Sequence, residues 1–96
     1  MSTYAEIIRH RDAIRRIVAS HKGENPRLFG SVAKGQHSSD SDVDLLVDAL
    51  PGATLLDIVR MEQQLQRELG LPFEVNTPLG LPRKWRDQVL EQAVAL

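Results

Sequence analysis

Apolar and polar positions change period several times along this chain, and each change marks an element. Tyr4, Ile7, Ile8, Ile14, Ile17 and Val18 recur at helical spacing, and Thr3 with Glu6 fits a capping box in front of them. A first helix is therefore predicted from about Tyr4 to Ser20, ending near Lys22-Gly23. The turn residues "GENP" lead into a short strand, Arg27 to Phe29, which stops at Gly30. Ser31 to Lys34 fits a helical turn, and Gly35 to Ser41 is a polar loop. Val43, Leu45 and Val47 then alternate with Asp42, Asp44 and Leu46, the signature of a second strand. After the breaker "LPGAT", Thr54 with Asp57 opens a helix carrying Leu55, Ile58, Val59, Leu65 and Leu69, which Gly70 is placed to close. "PFEVNT" predicts a third strand, Phe73 to Thr77. "PLGLP" breaks it, and Pro82 suits the first turn of a last helix with Trp85, Val89, Leu90 and Ala93. The order αβ(α)βαβα predicts an α/β (α+β) fold, a small mixed sheet of about three to four strands packed against helices.

At 96 residues the chain has the length of one domain, residues 1–96, with one modest core. Twelve Lys and Arg against thirteen Asp and Glu give a net charge of -1, which argues against a stable nucleic-acid partner. The basic clusters "RHRDAIRR" and "RKWR" read as solvated helix faces. The absence of cysteine excludes disulfides, thiolate metal sites and a Cys nucleophile. No apolar run approaches the ~20 residues a bilayer span needs, and the N-terminus lacks a signal-peptide core, so no membrane contact and a cytoplasmic location are expected.

The two aspartates of the second strand change the picture. Side chains two apart on a strand share a face, so Asp42 and Asp44 project together. Paired carboxylates repel unless a cation sits between them, and an oxygen-only site suits Mg²⁺ or Mn²⁺. Taken alone, "SSDSDVD" is equally a solvated loop whose last aspartate caps a strand. A calcium loop is rejected, because Leu45 stands at its sixth position and Pro51 at its twelfth. Just upstream, Gly30 allows close backbone approach, and the N–H groups and Ser31 hydroxyl at a helix start suit a phosphate. Lys34, one turn on, can add a point charge to that phosphate. Glu74 alternates with Phe73 and Val75, which makes it the candidate third carboxylate on the face of Asp42 and Asp44. Of the histidines, His10 and His21 fall on or at the end of the first helix, and only His37, in the loop, is within plausible reach of a phosphate.

These residues resemble the DNA polymerase beta superfamily of nucleotidyltransferases, specifically its minimal (MNT) branch, the antitoxins paired with HEPN toxins. That family's signature is Gly-Ser, ten residues, then Asp-x-Asp. Here Gly30-Ser31 is followed by residues 32–41 and then Asp42-Val43-Asp44. The flanks "LFGSVAKG" and "SDVDLLV" and the tail "TPLGLPRKWRDQVLEQAVAL" are also similar, so the likeness spans nearly the whole chain.

The resemblance implies a polymerase beta palm-like fold, with Gly30 and Ser31 holding a nucleoside triphosphate and Asp42 and Asp44 binding two Mg²⁺ ions. The third acidic position, usually Asp in the family, falls on Glu74. One extra methylene displaces that carboxylate by roughly an ångström, a distance catalysis registers. The implied reaction is AMP transfer from ATP to a hydroxyl, a tyrosine of a HEPN toxin. Two alternatives remain at this point. One is an antitoxin of the same fold that neutralises its partner by contact alone; the other is a nucleotidyltransferase that labels a small molecule.

Overall fold

Valine and leucine at alternate positions build the central strand β2 (Val43–Ala49) of the computed structural model. The model describes residues 3–35 and 42–96; residues 36–41, with His37 and Asp40, and the side chain of Thr3 that would complete the first capping box lie outside the described residues. Val43, Leu45 and Val47 are fully buried on one face of β2, and Leu46 is fully buried on the other. Among the described residues β2 is flanked by β1 (Gly23–Phe29), antiparallel, and β3 (Phe73–Asn76), parallel. A short β4 (Val94–Ala95) pairs antiparallel with β1, giving the sheet order β3-β2-β1-β4. The mixed sheet against helices is the architecture the sequence predicts.

Four local differences from the predicted elements have physical causes. The first helix is broken at His10 (φ −99°, ψ 11°) into α1 (Thr3–Arg9) and α2 (Arg11–Ser20), and the bend lets Ile7 and the trio Ile14, Ile17 and Val18 all reach the core. The first strand begins four residues earlier than its apolar run, at Gly23 rather than Arg27. A register shift between Glu24 and Arg27 absorbs Asn25 (φ 53°) and Pro26, residues that read locally as a turn but sit at a bulge in the ladder. The last helix stops at Gln92, one residue short of Ala93, and β4 follows it, where Val94 and Ala95 find the open edge of β1. This helix, α5 (Arg83–Gln92), has no buried residue; its apolar positions Trp85 and Leu90 are 50% and 43% exposed.

The capping pattern at Thr54 and Asp57 forms as expected. Thr54 Oγ1 accepts from the Asp57 N–H at 3.4 Å and Asp57 Oδ2 accepts from the Thr54 N–H at 2.8 Å, starting α4 (Leu55–Leu69). Gly70, at φ 67°, closes it. From α4, Met61 and Leu65 enter the core, while Glu62 and Gln66 turn to the outer edge of β3. Glu62 Oε1 accepts from the Val75 N–H at 2.8 Å, and Gln66 Nε2 donates to the Phe73 carbonyl at 2.9 Å. These bonds use edge groups that would otherwise recruit another strand, and they hold β3 in register beside β2.

Beyond the bulge, Arg27 (side chain 12% exposed) donates to both oxygens of Asp48, at 3.2 and 3.1 Å. The Arg27 hydrogen bonds hold the Asp48 carboxyl below its ordinary range; partial burial opposes this, while an Asn25 hydrogen bond and the Arg27 charge add to it. A carboxyl whose folded pKa is depressed contributes stability above its unfolded pKa of about 3.9 and loses it as pH falls through the folded value. Acidification below about pH 4 should therefore destabilise the protein more steeply than its Asp48→Asn variant. Urea midpoints measured against pH decide this, and parallel curves would refute it.

Candidate active site

The end of β1 feeds the site. Phe29 is extended (φ −143°, ψ −178°), and Gly30 turns to φ +71° as α3 (Gly30–Ala33) begins. Ser31 is half-buried on this short helix, Val32 is buried in the core, and Lys34 closes it in an exposed position. The sheet register supplies the rest. Phe29 lies opposite Asp44, and Asp44 lies opposite Glu74. Directly opposed residues share a face, so Phe29, Asp44 and Glu74 form one row across three strands. Asp42, just before β2, lies two residues from Asp44 and on the same side. A Cβ on Gly30 would collide with Asp44 Oδ2, so the backbone of the Gly-Ser turn lies directly against a carboxylate.

The electrostatics of the row follow from that proximity. Glu74 as a residue is exposed, but its carboxyl is raised above the ordinary range. Partial loss of water around it is the largest cause, followed by the charge of Asp44, a hydrogen bond with Asp42, and the charges of Asp42 and Glu62. The contact with Asp42 and the neighbouring charges all favour the protonated form of the Glu74 carboxyl. The donor set is oxygen only, the chemistry of Mg²⁺ and Mn²⁺, and such an ion would relieve the like-charge repulsion. Among the described residues no three His, Cys, Asp or Glu side chains stand ready-made as a metal cage, so using all three carboxylates would require Glu74 to draw inward.

Neither His10 nor His21 is part of this row. His10 lies at the junction of α1 and α2, and His21 Nε2 pairs with Gln64 Oε1 at 2.6 Å between α2 and α4. What the sequence did not single out is a cleft of about 330 Å³ opening from Gly30. Phe29, Gly30 and Lys34 line one side of it, and Trp85, Gln88, Val89 and Gln92 of α5 line the other. Its sequence signal is present but weak: Trp85, Gln88, Val89 and Gln92 follow three- and four-residue steps along one helix face. Arg86 fixes that helix, donating to the carbonyls of Pro78 (2.7 Å), Leu81 (3.2 Å) and Leu79 (3.4 Å) around the 3-10 turn Pro78–Gly80.

A strand that ends in a Gly-Ser turn, pressed against an acidic pair from the next strand, defines a class of protein, and comparison with known families agrees. The chain belongs to the nucleotidyltransferase domain family, whose model matches residues 7–96. It is 33% identical over 78 residues to a candidate protein adenylyltransferase of Methanocaldococcus jannaschii, covering 81% of this chain and 84% of that protein. It is 31% identical over 91 residues to the protein adenylyltransferase MntA of Thermococcus cleftensis, covering 86% and 92%. A solved structure of a candidate minimal nucleotidyltransferase superposes with a TM-score of 0.87 at 38% identity, covering 97% of this chain and 95% of that one. A toxin-antitoxin structure with AMP-PNP shares the fold, at a TM-score of 0.71 and 20% identity over 97% of this chain and 71% of that one. The protein is thus a nucleotidyltransferase of the minimal kind, as the Gly-Ser and Asp-x-Asp spacing implied. No helix among the described residues is long and apolar enough to cross a membrane.

Proposed function

We propose that this protein transfers AMP from ATP to a hydroxyl group, a tyrosine on a HEPN-type toxin, and so acts as an antitoxin. The observation that carries the proposal is the contact of the Gly30 backbone with Asp44, which joins a phosphate cradle to a carboxylate pair. Two relatives above 30% identity bear the name adenylyltransferase, and a protein of the same fold was solved in a toxin-antitoxin assembly with AMP-PNP.

The roles follow from position. Gly30 lets the triphosphate approach the backbone, the Ser31 hydroxyl donates to it, and Lys34 adds a positive charge. Asp42 and Asp44, with Glu74 as the candidate third ligand, would hold Mg²⁺, which would supply positive charge to the phosphates and to the charge that develops in transfer. The acceptor oxygen forms a bond to the α-phosphorus, the bond to the bridging oxygen breaks, and pyrophosphate leaves. Glu74 is the third ligand or, where it stays off the metal, the general base that takes the proton of the acceptor hydroxyl.

The test is incubation with Mg²⁺, ATP labelled at the α-phosphate and the protein encoded beside this one. Label on the neighbour is the expected result. A tight complex without label would instead favour neutralisation by contact alone, a reading that Glu74 in the usual place of Asp would then explain. In the same assay Glu74→Asp withdraws the carboxylate by about an ångström and should lower transfer about ten-fold or more. A gain would identify Glu74 as the group that limits the chemistry.

A further inference from the structure

We propose that the cleft between the end of β1 and α5 is the nucleoside subsite of this chain, in which Trp85 stacks the base and Gln88 and Gln92 select adenine. The inference rests on the nucleotidyltransferase reading above and adds to it a place for the base and the residues that read it.

Continuity with the phosphate end comes first. Gly30 and Lys34, assigned to the triphosphate, also line this cleft, so a nucleotide anchored there has its sugar and base directed along it. Its volume of about 330 Å³ lies at the lower end of the range of about 300–1,000 Å³ found for small-molecule sites. The chemistry of the walls fits a planar heterocycle. Phe29, Trp85 and Val89 supply apolar surface, and Gln88 and Gln92 lie four residues apart along the same helix face. A side-chain amide offers an acceptor and a donor side by side, which matches the amino group and adjacent ring nitrogen of adenine.

The exposure of α5 makes sense on the same terms. A tryptophan left 50% exposed, on a helix with no buried residue, is a stacking surface rather than a core filler. Lys84 Nζ lies 5.2 Å from its ring centroid, holding the indole from one face, and the base takes the other. Arg86 ties α5 to the turn after β3, so the wall is held in place before any ligand arrives. A second cleft of about 360 Å³ also borders Lys34, but its other lining residues, Tyr4, Ala33 and Gly35, carry no amide to read a base edge.

Trp85 is the only tryptophan of the chain, so its fluorescence reports on this cleft alone. The full-length protein is titrated with Mg²⁺–ATP and with Mg²⁺–tripolyphosphate, calorimetry measuring binding and fluorescence measuring contact. Both should bind, and only ATP should quench Trp85. Trp85→Ala should weaken ATP on the order of ten-fold and leave tripolyphosphate unchanged. Gln88→Ala and Gln92→Ala, exposed positions that do not threaten the fold, should narrow the preference for ATP over CTP by several-fold. ATP that binds with unchanged fluorescence, or quenching equal for the two ligands, overturns the subsite while the nucleotidyltransferase reading stands. Failure of both ligands to bind overturns the reading of Gly30, Ser31 and Lys34 and the subsite with it.

Discussion

Asp44→Asn should lose nucleotidyl transfer by about a thousand-fold or more while keeping the fold, and Asp42→Asn should behave alike. The expected size follows from what is removed. One preorganised electrostatic contact to a reacting group is commonly worth about a hundred- to a thousand-fold, and each aspartate would hold cations that stabilise the transferring phosphate. Asp44 is the better placed of the two to report this. It stands in the middle of the row, opposite Phe29 on one side and Glu74 on the other, with the Gly30 backbone against its carboxylate. Asparagine keeps that volume and removes the charge. A second readout is available in the metal-free variant: with the Asp44 charge gone, Glu74 should titrate at lower pH, measurable from its carboxyl carbon by NMR. Transfer at the native rate in either variant would remove the metal assignment.

Gly30→Ala should damage both the fold and turnover, for two separable reasons. At φ +71° a side chain pays about 1–2 kcal/mol for the left-handed backbone alone. In addition the new Cβ meets Asp44 Oδ2, so the carboxylate or the turn must move. A displacement of about an ångström in a catalytic group is expected to lower turnover about a hundred-fold. A double-mutant cycle separates the two causes. In an Asp44→Ala background the collision is absent, so Gly30→Ala should cost less stability there, by about 1 kcal/mol in urea unfolding. Equal costs in the two backgrounds would show that strain alone governs Gly30 and that the contact with Asp44 does not matter.

The candidate residues of this site were legible before any fold was known, because they are marked by local patterns. A glycine after a short apolar strand, a serine at a helix start and two aspartates on alternate positions of a β-pattern are properties of neighbouring residues. Glu74 was found the same way, by alternation with Phe73 and Val75. The bulge at Asn25 and Pro26 was not legible, since "GENP" has a turn's composition and becomes strand only because β2 extends alongside it. The break at His10 escaped for a similar reason: an apolar spacing that fits one helix also fits two, when the surface they cover is curved.

α5 shows where the limit lies. Trp85, Val89 and Leu90 have the periodicity of a core-facing helix, but periodicity says only that a helix has an apolar face. Burial depends on the surface opposite, and here Phe29 and Gly30 leave a cleft. The types of element, the capping of α4 and the identity of the acidic and phosphate-binding candidates were carried by the order of residues, since short-range sterics and hydrogen bonding act within a few positions. The register that aligns Phe29, Asp44 and Glu74, the meeting of Gly30 with the Asp44 carboxylate and the open wall of α5 arose only on folding, because each depends on contacts between residues far apart in the chain.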